Sequence, residues 1–184
     1  GVSLTWILDE IGRLPRRPDA PLVLMSYLNP LLAFGYERLA QRAAEVGVAG
    51  FIVPDLPLDE SAELDAALNA EGLALIQLVT PVTRDERLAE SCAASRGFLY
   101  AVTVTGITGG QADGGEIAEY LAKVSSLSSV PVCAGFGVRG PEQVAKIGRF
   151  VPGVVVGSAL VEAMERGEDP AAFIRWLQGA PAAA

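Results

Sequence analysis

The chain has 184 residues, 51% of them hydrophobic, which is enough for one domain with a sizeable core and too apolar for a disordered chain. It carries 14 Lys plus Arg against 22 Asp plus Glu, a net charge of -8, and no histidine. That balance argues against a nucleic-acid partner or an anionic membrane surface, and the missing histidine excludes Ser-His-Asp and Cys-His catalysis and His-ligated zinc.

In chain order, an opening helix is predicted over Ser3–Leu14, followed by six strand–helix units. The apolar runs are Leu22–Tyr27, Gly50–Asp55, Leu73–Val79, Gly97–Thr103, Pro131–Gly137 and Gly153–Ala159. They are almost continuously apolar, as strands covered on both faces are in parallel sheets. Between them lie helical segments at Tyr36–Val46, Asp59–Glu71, Arg84–Ser95, Glu116–Leu127, Pro141–Ile147 and Pro170–Leu177. The first places Leu39, Ala43 and Val46 on one face. The second places Ala62, Ala66 and Ala70 together with Leu64 and Leu68 beside them. Pro141 and Pro170 stand where a first helical turn tolerates proline. Trp6 and Trp176, on terminal helices, read as packing residues, and the Ala-rich tail from Pro181 reads as frayed.

This beat has no linker or domain break, so residues 1–184 read as a single domain. Repeated βα units make a doubly wound sheet or a (β/α)8 barrel. A doubly wound sheet predicts a Gly-rich fingerprint after the first strand, where SYLNP stands instead. A barrel predicts anion-binding turns after its last two strands, and both are present. The fold class is therefore α/β, an incomplete (β/α)8 barrel with six of its eight parallel strands.

Those turns are Gly135-Phe136-Gly137 and Gly157-Ser158, each followed by a helix. Glycine lets the backbone approach an anion, and free N–H groups at a helix start point at it, so phosphate binding needs no lysine. Thr105-Gly106-Ile107-Thr108-Gly109-Gly110 opens a long glycine-rich loop placed to act as a lid. Pro54-Asp55-Leu56-Pro57 ends a strand; Asp55 reads first as a turn or cap and only second as a catalytic acid. Asn29 before Pro30 reads as a turn, Tyr27 as a candidate pocket residue, and Tyr100 as a strand residue packed in the core or facing the pocket.

Cys92 and Cys133 are too far apart for a C-x-x-C site, and a disulfide framework is not expected; a reducing cytoplasm fits. No signal peptide is recognised. The most apolar stretch, Phe150 to Met164, is interrupted by Pro152, Gly153, Gly157 and Glu162 and is too short to span a bilayer.

LMSYLNP (24–30), GVAGFIVPDLPLDES (47–61), TGITGG (105–110), CAGFGVRGPEQV (133–144) and VVVGSALV (154–161) together resemble the α subunit of tryptophan synthase, in order and spacing to about residue 178. The resemblance implies a barrel that cleaves indole-3-glycerol phosphate to indole and glyceraldehyde 3-phosphate, with no metal or organic cofactor. Pyridoxal phosphate would belong to a β-subunit partner, which takes the indole. By the same resemblance, Gly109, Gly137, Gly157 and Ser158 bind the phosphate and Thr108 closes the lid. Tyr27, Ile52, Tyr100 and Phe136 line the indole pocket, while Asn29, Pro30, Asp55 and Pro57 face the β subunit. Val104 stands where a family member carries arginine.

The resemblance also implies two catalytic carboxylates, a Glu on the second barrel strand and an Asp on the loop after it. Both belong to two units that would precede Gly1, so the chain reads as a C-terminal portion without them. Tyr100 is left as an auxiliary catalytic candidate. Such a portion is expected to be nearly inactive alone, and to expose strand edges near Val23 and Val155 that invite poor solubility or a dimer. The alternatives are another phosphate-binding barrel enzyme of the sugar-phosphate isomerase type, for which Asp55 is the clearest acid or base, and a non-catalytic subunit that binds a β partner.

Overall fold

Short strands alternate with helices along most of the chain in a computed structural model that describes residues 2–103, 114–135 and 137–179. The residues sort into two compact units: Gly1–Leu78 with Ala94–Gly97, and Val79–Ala93 with Phe98–Ala184.

In the first unit, α1 (Leu4–Gly12) starts at Ser3, whose hydroxyl accepts the Trp6 N–H at 3.2 Å. The strands β1 (Leu22–Met25), β2 (Val48–Ile52) and β3 (Ala74–Ile76) form one sheet in that order, all parallel. Their register pairs Leu24 with Phe51 and Phe51 with Leu75. Between β1 and β2 lie α2 (Leu28–Phe34) and α3 (Tyr36–Val46); a 3-10 turn (Leu58–Glu60) and α4 (Ala62–Ala70) follow β2. The core holds Leu8, Leu31, Leu39, Phe51, Leu64 and Leu68. α3 buries Leu39, Ala43 and Val46 as its spacing predicts.

Three expectations for this unit change. The Asn29-Pro30 turn is instead the first turn of α2. Proline is tolerated there because the N–H it lacks has no intrahelical acceptor in a first turn. On α4 the buried residues are Leu64 and Leu68, whereas Ala62, Ala66 and Ala70 are exposed, because the leucines remove far more apolar surface from water than a methyl does. Trp6, expected to pack, keeps 51% of its surface exposed.

In the second unit the sheet order is β4 (Leu78–Val79), β5 (Leu99–Ala101), β6 (Val132–Ala134) and β7 (Gly153–Val154), with β5, β6 and β7 parallel. The predicted run Leu73–Val79 is thus two short strands, β3 and β4, divided at Gln77, and the described strands number seven rather than six. α5 (Asp85–Ala94), α6 (Gly114–Leu127), α7 (Pro141–Ile147), α8 (Ser158–Glu165) and α9 (Pro170–Leu177) complete the unit. Leu88, Leu99, Leu121, Val124 and Val132 form its core. Trp176 packs with Phe173, ring centroids 5.4 Å apart.

Candidate functional site

The two turns read as anion-binding stand at the carboxyl ends of neighbouring strands. β6 and β7 pair through Cys133–Gly153 and Ala134–Val154, and the Val155 N–H donates to the Ala134 carbonyl at 2.9 Å. Gly135 lies so close to β7 that a Cβ there would overlap the Val155 carbonyl oxygen. Two residues on, Gly137 has φ 65°, a left-handed conformation that costs any other residue about 1–2 kcal/mol. After β7, Gly157 sits at the N-cap of α8 and Ser158 is its first residue. No side chain caps this helix and its first turn holds no acidic residue. Gly137, Gly157 and Ser158 are all exposed. The arrangement leaves N–H groups and the positive end of a helix dipole facing outward beside a glycine turn, which is favourable to an anion.

The basic side chain nearest these turns in sequence, Arg139, is engaged elsewhere. Its two terminal nitrogens donate to the two carboxylate oxygens of Glu162 on α8 at 2.7 and 2.8 Å. Its own backbone N–H donates to Gln143 Oε1 at 2.7 Å, at the start of α7. The ion pair holds the Glu162 carboxyl below its ordinary range. Sequence reasoning did not select Arg139 or Glu162, since only the adjacency of β6 and β7 brings these two turns side by side.

Tyr100, in the middle of β5, is buried, and burial raises its hydroxyl pKa. Gly109 and Thr108 of the lid, Val104, and Phe136 of the pocket lie outside the described residues.

The first unit gathers the other candidates. Ile52 is the buried last residue of β2. Tyr27 stands at the N-cap of α2, 69% exposed, so within this unit it lines no enclosed pocket. Asn29, Pro30, Asp55 and Pro57 are exposed. An Asp55 oxygen accepts the Leu28 N–H at 2.9 Å, tying the end of β2 to the start of α2. The cap reading of Asp55 therefore holds, and the carboxylate that an isomerase would need as acid or base is spent on a helix terminus.

Among the described residues no group of three or more Cys, Asp or Glu side chains is placed to hold a metal ion, and no helix is long and apolar enough to cross a membrane. Cys92 and Cys133 are free thiols.

Comparison with known proteins resolves what this assembly of turns belongs to. The family model for the tryptophan synthase alpha chain matches residues 1–177. The chain is 44% identical over 181 residues to the tryptophan synthase alpha chain of Nitratidesulfovibrio vulgaris strain DP4, covering 97% of this chain and 70% of that one. It is 46% identical over 178 residues to that of Solidesulfovibrio magneticus, covering 96% and 70%. Among solved structures, the tryptophan synthase alpha chain of Legionella pneumophila superposes with a TM-score of 0.81 at 31% identity, over 96% of this chain and 67% of that one. A chain of the tryptophan synthase complex of Pyrococcus furiosus gives 0.85 at 28% identity, over 98% and 75%.

The chain belongs to the tryptophan synthase alpha chain family. Its role is accordingly in tryptophan biosynthesis, within a family of lyases, and its strands and helices are those of that family's (β/α)8 barrel. It spans about 70% of the length of these curated relatives. The glycine turns after β6 and β7 lie inside the matched span, as do the capped start of α2 and the Arg139–Glu162 pair.

Proposed function

We propose that these 184 residues supply the phosphate grip of the tryptophan synthase alpha chain for indole-3-glycerol phosphate. The observation that carries this is the uncapped N-terminus of α8 at Gly157-Ser158, set beside the left-handed Gly137 on the neighbouring strand. Main-chain N–H groups there neutralise a phosphate without a basic side chain, which suits a chain of net charge -8. By the family likeness, Gly109 and Thr108 add to this grip.

The reaction breaks the carbon–carbon bond between the indole ring and the glycerol phosphate, giving indole and glyceraldehyde 3-phosphate. It needs one group to deliver a proton to the ring carbon and another to take one from the substrate. The Glu and Asp implied for those roles are not among these residues, and we read the chain as the portion of the subunit that follows them. Losing acid or base catalysis costs roughly 10²–10⁴-fold in rate. The partner is a β subunit that receives the indole and carries pyridoxal phosphate, while this chain uses no cofactor of its own. The exposed positions of Asn29, Pro30, Asp55 and Pro57 support that docking, with Leu32 as a nearby exposed apolar side chain. Two free cysteines fit a reducing cytoplasm.

Two measurements test this reading. Titration with inorganic phosphate, followed by amide NMR, should shift Gly137, Gly157 and Ser158 first; unmoved signals there would refute the grip. Incubation with indole-3-glycerol phosphate should give little or no indole, and turnover near that of a full-length alpha chain would refute the missing carboxylates.

A further inference from the structure

Two neighbouring turns can share one phosphate only if they keep a fixed separation. Among the described residues, the hydrogen bond that ties the two segments just before these turns runs from Val155 N–H to the Ala134 carbonyl. Beyond it, Gly137 and Gly157 lie two residues past Gly135 and Val155 on their respective strands. Past the turns, the described residues tie the two segments again through Arg139 and Glu162, a two-pronged ion pair from the turn after β6 to the second turn of α8. Both members are held on their own side. The Arg139 backbone is fastened to Gln143 at the start of α7, and Glu162 is part of α8 itself. A planar guanidinium across both carboxylate oxygens fixes orientation as well as distance.

We infer that Arg139 and Glu162 form a clasp that sets the spacing of the Gly137 and Gly157-Ser158 turns, so that Arg139 is a positioning residue for phosphate binding and not a phosphate ligand. This deepens the reading of those turns as the phosphate grip and rests on it. Along the chain, the strand pairing comes before the two turns and the ion pair after them. The anion then meets turns already spaced, and affinity is not spent on ordering them. Both residues remain partly exposed, so the pair should matter more for geometry than for global stability.

The test compares the parent chain with Arg139→Gln, Glu162→Gln and the charge-swapped double variant Arg139→Glu/Glu162→Arg. Inorganic phosphate is the probe, with binding read at the Gly157 and Ser158 amides and folding monitored by circular dichroism. Each single variant should weaken phosphate about three- to tenfold with its fold intact, and the swap should recover most of the loss. Weakening by Arg139→Gln with no change or a gain in Glu162→Gln would make Arg139 a direct ligand and overturn the clasp. Unchanged affinity in both single variants, or a swap no better than either, overturns it as well. If the parent chain itself does not bind phosphate, the grip and the clasp fall together; if the parent binds and the variants match it, only the clasp falls.

Discussion

The Asp55 carboxylate accepts the Leu28 N–H at 2.9 Å and so caps, from the end of β2, a helix that begins 27 residues earlier. The negative charge also meets the positive end of the α2 dipole. The contact joins the two segments proposed for β-subunit docking. Asp55→Ala should cost about 0.5–2 kcal/mol in urea unfolding and speed hydrogen exchange at Leu28. Asp55→Asn should retain part of the cap. An unchanged exchange rate at Leu28 in the alanine variant would show that the helix starts without help.

Gly135 and Gly157 are expected to respond to alanine in opposite ways. At Gly135 the added methyl meets the Val155 carbonyl and must push β6 from β7, so Gly135→Ala should lose roughly 1–3 kcal/mol in Tm-derived stability. At Gly157 a Cβ finds nothing within 4 Å among the described residues, so Gly157→Ala should stay within about 0.5 kcal/mol of the parent. It should nonetheless weaken phosphate binding, because a methyl then stands where the anion approaches the backbone. Equal loss of stability in both would contradict the geometry of the two turns.

Stability should fall on the alkaline side. Burial raises the pKa of Tyr100, Cys92 and Cys133. Tyr120 is raised by burial first and by Cys92 second. Each of these groups is protonated more firmly in the folded chain than in the unfolded one. Their contribution is complete below the unfolded values, about 8.5 for Cys and 10 for Tyr, and is lost as pH climbs toward the raised folded values. Melting temperatures measured from pH 7 to 11 should decline above about pH 8.5–9. Tyr120→Phe should flatten that decline while costing about 1 kcal/mol at neutral pH, since its hydroxyl donates to the Val79 carbonyl at 2.9 Å.

The face of α4 offers a direct check on its packing. Leu64 is buried in the core of the first unit and Ala66 is exposed. Leu64→Ala should cost about 2–5 kcal/mol and Ala66→Ser no more than about 0.5 kcal/mol, by chemical denaturation. Similar costs at the two positions would restore the alanine face expected from spacing.

Much of this architecture was legible along the chain. The helices Tyr36–Val46, Pro141–Ile147 and Pro170–Leu177 occupy their predicted spans, because their signals are local: apolar spacing, a proline in the first turn, a glycine at an end. The glycine turns after β6 and β7 were legible for the same reason. α2 was not. Asn29-Pro30 carries turn chemistry, and what makes it helical lies elsewhere: Leu31 buried in the core, and an aspartate beyond the next strand.

By itself, then, the order of residues determined the βα alternation, the parallel class, the exposed glycine turns and the family motifs, each expressed within a few residues of chain. Only the tertiary structure decided that the helix Asp55 caps is α2, that α4 turns its leucines inward, and that Arg139 pairs with Glu162. Those outcomes depend on which strands lie side by side and in what register, and on the apolar surface a packed face can bury. Partners 23 or 27 residues apart meet only after that pairing exists.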